Sequence, residues 1–258
     1  MFGIRKASSS KLGIYIHIPF CRSKCDYCDF YSLAGREDKM DSYQRALLAH
    51  LGETAPAARG FAVDTIYFGG GTPSFYGEKR LRELLAAIKR QFSVMKDAEI
   101  TLEANPDSVD LKALKSLRKA GFNRISLGYQ SACQAELEAV HRPHTPAQGD
   151  EAVAAARKAG FSNLSLDLIY GLPVQTVSSW WNTVEHALSL APDHLSCYGL
   201  KVEEGTPLAA RVAAGRERLL SDDTQADLYL WTVNRLAQAG YGQYEISNFA
   251  KPGFASRH

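Results

Sequence analysis

RKAGFNRISL, residues 118–127, recurs as RKAGFSNLSL at residues 157–166, and AQAGYGQYEIS at residues 237–247 is a fainter third copy. Each copy ends an amphipathic run at a glycine, where a helix needs a left-handed cap, and then turns into a short apolar strand. The repeated piece is therefore the helix-to-strand joint of a βα unit. Outward from it, strands are expected at Gly13–Ile18, Thr65–Phe68, Glu99–Glu103, Arg124–Gly128, Leu164–Ile169 and His194–Tyr198. Helices are expected at Asp38–Ala58, Glu78–Gln91, Leu111–Ala120, Thr145–Ala159, Val177–Leu190 and Asp222–Ala239. Strand and helix alternating at this spacing give parallel βαβ units. One unit per roughly 40 residues gives six, so the fold class is α/β, a partial (β/α)6 barrel rather than a full barrel of eight. The core is expected over residues 13–248, residues 1–12 as a disordered lead-in, and residues 249–258 as a truncated start of a further C-terminal region.

Composition narrows the function class. With 258 residues, 45% hydrophobic and 22% charged, the chain reads as an ordinary globular protein. A formal net charge of +2 without a basic block argues against broad nucleic-acid binding. No apolar run reaches membrane-spanning length, and residues 1–11 have no apolar signal-peptide region, so a cytoplasmic location is expected.

Of five cysteines, three crowd into YIHIPFCRSKCDYCDF, residues 15–30, as Cys21, Cys25 and Cys28, a C-x3-C-x2-C spacing just past the first strand. Clustered thiols in an odd total suit a metal site better than a disulfide framework. Barrel active sites lie at this end of the strands. Thiolates select iron–sulfur clusters or zinc. Three thiolates leave one iron of a cubane open, whereas complete four-cysteine ligation serves electron transfer. The alternative is a structural zinc site of Cys3His type, with His17 or His50 as fourth ligand. Cys133 and Cys197 read as buried structural thiols.

Two more features stand at strand ends. Phe68-Gly-Gly-Gly-Thr-Pro-Ser74 follows the second strand, and three residues without Cβ let backbone amides approach a ligand. Asp167 lies inside the apolar strand LSLDLIYGLP, where an ionised carboxylate needs a polar partner in the barrel interior. Glu103 closes the third strand, in LEANPDS, where a carboxylate reads as functional.

The C-x3-C-x2-C motif after YIHIPF, with an aromatic residue before the last cysteine, resembles the radical S-adenosylmethionine (SAM) superfamily. The resemblance extends from Tyr15 to His258 and is narrower toward the branch holding oxygen-independent coproporphyrinogen oxidases and HemW-type heme chaperones. It implies a [4Fe–4S] cluster on Cys21, Cys25 and Cys28, with SAM chelated by the open iron and cleaved reductively to a 5′-deoxyadenosyl radical. It also implies SAM contacts from Gly70, Gly71, Thr72, Glu103, Gln130, Arg142 and Asp167, with Tyr15 on the SAM side and Tyr27 near the adenine. For the tyrosines, ordinary core packing is the competing reading; for Arg142, a surface arginine.

The oxidases resemble C-x3-C-x2-C-x-C, and this chain has Phe30 at the fourth cysteine's place, with no long extension before Tyr15. SLDLIYGLP, CYGLKVEEGTPL and YEISNFAKPGFASRH are similar to the chaperone branch. That resemblance implies heme or a porphyrin as ligand, admitted at an open lateral side of the barrel. Acceptor hemoproteins and a flavodoxin- or ferredoxin-type electron donor are the implied partners. Coproporphyrinogen oxidation is the alternative activity, and a cluster-bearing scaffold without turnover a third. The family's heme-associated stretch begins at a histidine matching His258. His141 and His144 are weighed as axial heme ligands against solvated loop histidines; they and Tyr129 depart from the commonest residues of the branch.

Overall fold

A computed structural model describes residues 10–258. Of the expected lead-in, residues 1–9 lie outside the described residues, and Ser10–Leu12 already belong to the first strand. Six parallel strands follow one another in chain order across one curled sheet: β1 (Ser10–Ile18), β2 (Phe61–Gly70), β3 (Val94–Ala104), β4 (Arg124–Gln130), β5 (Asn163–Tyr170) and β6 (His194–Gly199). An antiparallel hairpin, β7 (Gly242–Glu245) and β8 (Asn248–Ala250), adds to the edge of β6. The sheet stays open between β1 and β7, the partial barrel expected from the repeats.

The long helices are α1 (Met40–Thr54), α2 (Glu78–Gln91), α3 (Leu111–Ala120), α4 (Pro146–Ala159), α5 (Val177–Ser189) and α6 (Asp222–Gln238). The first is shorter than expected: Pro56, which cannot donate to an α-helical turn, leaves residues 55–58 as a 3-10 turn. The repeat explains three joints. Gly121 and Gly160 cap α3 and α4 at φ 118° and 96°. Each is followed by a buried aromatic, Phe122 and Phe161, with Tyr241 in the third copy. The repeated arginines do equivalent jobs. Arg118 donates to the Phe122 and Gly160 carbonyls, and Arg157 to those of Phe161 and Ala191 and to Asp193.

Period-two alternation gives the sheet two different faces. Ile16, Ile18, Ile66, Phe68, Ile100, Leu102, Ile125, Leu127, Leu164, Leu166 and Leu195 pack under the helices in one hydrophobic core. Their alternates face the barrel interior and are mostly polar: Thr65 and Tyr67, Glu99 and Glu103, Arg124 and Ser126, Ser165 and Asp167, His194 and Ser196. They bond to one another across strands, as in Ser165–His194 at 2.8 Å and Ser126–Asp167 at 3.0 Å.

Residues 249–258 pack against the sheet. The expected boundary after residue 248 falls inside β8, and the following segment crosses the open barrel. The Arg257 amide donates to Glu99 at 3.0 Å, the Arg257 guanidinium to the Asp97 carbonyl at 2.7 Å, and His258 Nδ1 lies 3.0 Å from Thr65 Oγ1. The His258 ring stacks on Tyr67 with centroids 5.1 Å apart.

Candidate cluster and SAM site

Beyond the C-terminal ends of the strands lies a cavity of about 440 Å³. Cys21, Cys25 and Cys28 line it together with Tyr27, Gly70, Gly71, Thr72, Glu103, Gln130, Arg142 and Asp167. Residues expected to share a site from six separate segments thus share one cavity. Tyr15 is the exception. It lies below the cavity beside Tyr67, ring centroids 6.0 Å apart, is 49% exposed, and is not part of the lining.

The cysteine loop leaves β1 through Pro19, and Phe20–Cys21 pairs with Leu33–Ala34 as a short parallel ribbon that closes the loop on itself. The glycine run makes this loop fit. A Cβ on Gly71 would lie 2.9 Å from the Phe20 carbonyl oxygen and 3.0 Å from Cys21 Sγ; one on Gly70, at φ 117°, would strike the His17 ring. The amides of the run, however, are not free for a ligand. Gly70 donates to Glu103 Oε2, Gly71 to the Ile18 carbonyl and Thr72 to the Phe20 carbonyl. The turn locks β1, β2 and β3 together, so its amides serve the fold. Sequence could not show this, because the acceptors come from other strands.

Arg142 is the hub between the cysteine loop and the sheet. It donates to Cys25 Sγ at 3.4 Å, to Asn105 Oδ1 at 2.9 Å and to the Gly128 carbonyl at 2.9 Å. It is half-buried with its Nε fully enclosed, and its terminal nitrogens are held by the loop and the sheet, so the surface reading fails. Asn105 passes the link on to Thr72, whose hydroxyl reaches Cys21 Sγ at 3.5 Å. Asn105 and Ser126 escaped the sequence reading. Ser126 was legible in principle, being two residues from Gly128 and four from Gln130 on the same strand face. Gln130 ends β4 in a left-handed conformation, φ 65°, and its Oε1 is buried without a partner, as is Arg142 Nε.

Electrostatics set the floor. Burial pushes the Glu103 carboxyl up to about 7, against the hydrogen bonds from Tyr67 and Gly70. Burial likewise raises Asp167, opposed by Ser196, Ser126 and the Arg124 and Arg142 guanidinium groups. Two desolvated carboxylates facing one cavity are poised for a cationic ligand. Burial also holds the Cys28 thiol above its ordinary value, so a metal must displace its proton.

The site fits an iron–sulfur cluster with one open iron. Three soft donors and no fourth face a cavity that also holds unpartnered polar atoms for an organic ligand. The zinc alternative lacks its fourth ligand. His17 turns its Nε2 to the Tyr31 carbonyl at 2.9 Å, and His50 sits on the exposed side of α1. Among the described residues no three His, Cys, Asp or Glu side chains gather to hold a single ion.

The profile of the Radical SAM superfamily matches residues 15–187, from β1 through most of α5. The chain belongs to this superfamily. Its cofactors are therefore a [4Fe–4S] cluster and SAM. It is 38% identical to the heme chaperone HemW of Mycobacterium tuberculosis, over 99% of this chain and 66% of that one. It is also 38% identical to HemW of Escherichia coli, over 96% and 65%. The mouse mitochondrial radical S-adenosyl methionine domain-containing protein 1 is 34% identical, over 98% and 57%. The chain thus spans about two thirds of the length of the bacterial relatives it matches. Among solved structures, the coproporphyrinogen III oxidase HemN of E. coli superposes with a TM-score of 0.85 at 30% identity, over 96% of this chain and 57% of that one. A radical SAM methyltransferase of Kitasatospora setae, solved with cobalamin and a [4Fe–4S] cluster, gives 0.58 at 15% identity, a likeness of fold alone.

The heme-ligand expectations need correction for one histidine. His144 is neither solvated nor reachable. It is 1% exposed, bonds the Tyr129 carbonyl through Nε2 at 3.1 Å, and burial pushes its pKa down to about 4. His141 is exposed, but its Nδ1 is 2.7 Å from Asp26. Cys197 is buried in β6, as expected of a structural thiol, whereas Cys133 is only half-buried. Among the described residues no helix is long and apolar enough to cross a membrane.

Proposed function

We propose that this chain is the cluster- and SAM-binding part of a heme chaperone. The observation that carries the reading is the three-thiol cavity with Phe30, not a fourth cysteine, at its mouth. The curated relatives named as heme chaperones, matched over nearly the whole chain, support it. Cys21, Cys25 and Cys28 hold the cluster, and Glu103 and Asp167 receive the cationic parts of SAM. Gly70, Gly71, Thr72, Tyr27, Gln130 and Arg142 shape and orient the pocket, while Tyr15 supports Tyr67 from below. Bound there, the cluster supplies one electron for reductive cleavage of SAM.

Phe30 and Tyr31 leave 67% and 75% of their surface exposed beside the cavity. That apolar rim suits a flat ligand such as heme, with acceptor hemoproteins as its destination. A flavodoxin- or ferredoxin-type protein would reduce the cluster, and the setting would be the cytoplasm.

The second reading is coproporphyrinogen III oxidation, favoured by the 0.85 superposition on HemN. One experiment separates them. The reconstituted protein is incubated anaerobically with SAM, reductant and coproporphyrinogen III, and separately with heme. Heme bound without decarboxylation supports the chaperone; loss of carboxyl groups as CO2 overturns it in favour of the oxidase.

A further inference from the structure

Asp26 sits between two of the cluster cysteines, Cys25 and Cys28, yet its carboxylate points away from the cavity. It is buried, 7% exposed, and every polar part of it that the fold engages is engaged from far along the chain. Its amide donates to the Val140 carbonyl at 3.2 Å, and its carbonyl accepts from the Leu208 amide at 3.0 Å. Its Oδ2 accepts from Arg211 Nη1 and pairs with His141 Nδ1. Arg211 comes from the short helix Pro207–Ala213, which follows β6. All three nitrogen positions of its guanidinium are committed: Nη1 to Asp26, Nη2 to the Ala139 carbonyl at 2.8 Å, and Nε to Glu217 at 3.5 Å.

The neighbouring residue completes the pattern. His141 adopts a left-handed backbone, φ 53°. That turn sends two consecutive side chains to two consecutive residues of the cluster loop, His141 to Asp26 and Arg142 to Cys25. A half-exposed loop of thiols would otherwise have little to hold its shape. Its only regular pairing is the two-residue ribbon.

We infer that Arg211 is a positioning residue for the cluster, clamping Asp26 so that Cys25 and Cys28 are held in place for iron. Arg211 touches neither cavity nor cysteine and acts through Asp26. The inference rests on the three cysteines being the cluster ligands. The loop Gly199–Lys201, which lines the cavity mouth, leads directly into the helix that carries Arg211. The clamp thus ties the mouth of the pocket to the cluster.

The test uses the whole chain and compares wild type with Arg211→Ala, Arg211→Lys, Asp26→Ala and Asp26→Ala/Arg211→Ala after anaerobic reconstitution. Readouts are iron per chain, the rate at which air bleaches the visible band of the cluster, and far-UV circular dichroism. A partner bonded directly to a metal ligand is worth about 10-fold to 100-fold in metal binding; Arg211 acts one residue further out, so Arg211→Ala should bleach up to about tenfold faster with an unchanged dichroism spectrum. Arg211→Lys should recover part of the loss. The double variant should be no worse than Asp26→Ala, because Arg211 acts on the loop through Asp26, which His141 also holds. A wild-type chain that takes up no cluster overturns the ligand assignment itself. A wild-type cluster whose iron content and bleaching rate are unmoved by Arg211→Ala and Arg211→Lys overturns the clamp alone. Should Arg211→Ala fold poorly, Arg211→Lys decides: equal iron content and bleaching rate in folded Arg211→Lys and wild type overturn it.

Discussion

Tyr67 donates to Glu103 Oε1 at 2.7 Å while the Gly70 amide donates to Oε2 at 3.1 Å, so both oxygens of one half-buried carboxylate are aimed by the strand beside it. Those bonds favour the ionised form, but burial outweighs them and leaves the group near 7. Glu103 is therefore partly protonated at neutral pH in the unliganded chain. A ligand that brings positive charge selects the carboxylate, so binding must release that proton below the midpoint. SAM affinity should rise by about tenfold per pH unit below the midpoint and level off above it. Glu103→Gln should flatten the profile and weaken binding at pH 8. Titration calorimetry across roughly pH 6 to 8 checks both; a wild-type profile as flat as that of the variant would remove Glu103 from the site.

Cys25→Ala should abolish cluster and SAM cleavage together, since it removes one of three thiolates and leaves Arg142 facing an empty position. Cys133→Ser should change neither, because Cys133 precedes the short helix Gln134–Ala139, outside the cavity lining. Iron per chain, with 5′-deoxyadenosine formed under reductant, distinguishes the two. A Cys25→Ala chain that cleaves SAM at the wild-type rate would end the ligand assignment.

Gly71→Ala tests whether the glycine run exists for the loop or for a ligand. The new Cβ would meet backbone at 2.9 Å and Cys21 Sγ at 3.0 Å, and backbone does not yield as a flexible side chain does. The expected cost is about 1–3 kcal/mol of stability, read by urea denaturation of the cluster-free chain. A loss confined to SAM affinity, with stability unchanged, would assign the glycine to the ligand.

Sequence carried much of this site because its ligands obey local rules. The repeated RKAGF joint gave the βα units, C-x3-C-x2-C gave the thiols, and an aspartate inside LSLDLI demanded a polar interior, where Ser126 meets it. What stayed hidden depends on segments far apart in the chain. Nothing around Asp26 announces that its carboxylate is met by Arg211 and His141. Nor does GGGT show that its amides are consumed by Ile18, Phe20 and Glu103. His141 and His144 look alike in sequence, yet a left-handed turn leaves one on the surface and the other in the core. The contacts of residues 249–258 were hidden for the same reason: their partners, Glu99 and Thr65, lie on strands that the segment reaches only after crossing the open barrel.

Asp167→Asn should separate stability from ligand binding. Burial raises the carboxyl above its ordinary value of 3.8, so in the unliganded chain the ionised form opposes folding. The sign follows from linkage: a raised folded-state pKa means stability that is complete below the unfolded value and is lost as pH rises through the folded one. The neutral isostere keeps an acceptor for Ser126, which donates to Asp167 at 3.0 and 3.1 Å, and removes the desolvated charge. At pH 8 the cluster-free variant should therefore melt higher, about 2–4 °C for each kcal/mol recovered. As pH falls below the ordinary carboxyl value the gain should shrink toward zero, because the raised wild-type group is then protonated too. SAM affinity should move the other way, as the pocket loses one of two carboxylates that meet a cation. Such opposition is expected of a residue kept for function at the expense of stability. A variant that melts lower at pH 8 would show instead that Arg124, buried on the same inner face, depends on the charge of Asp167.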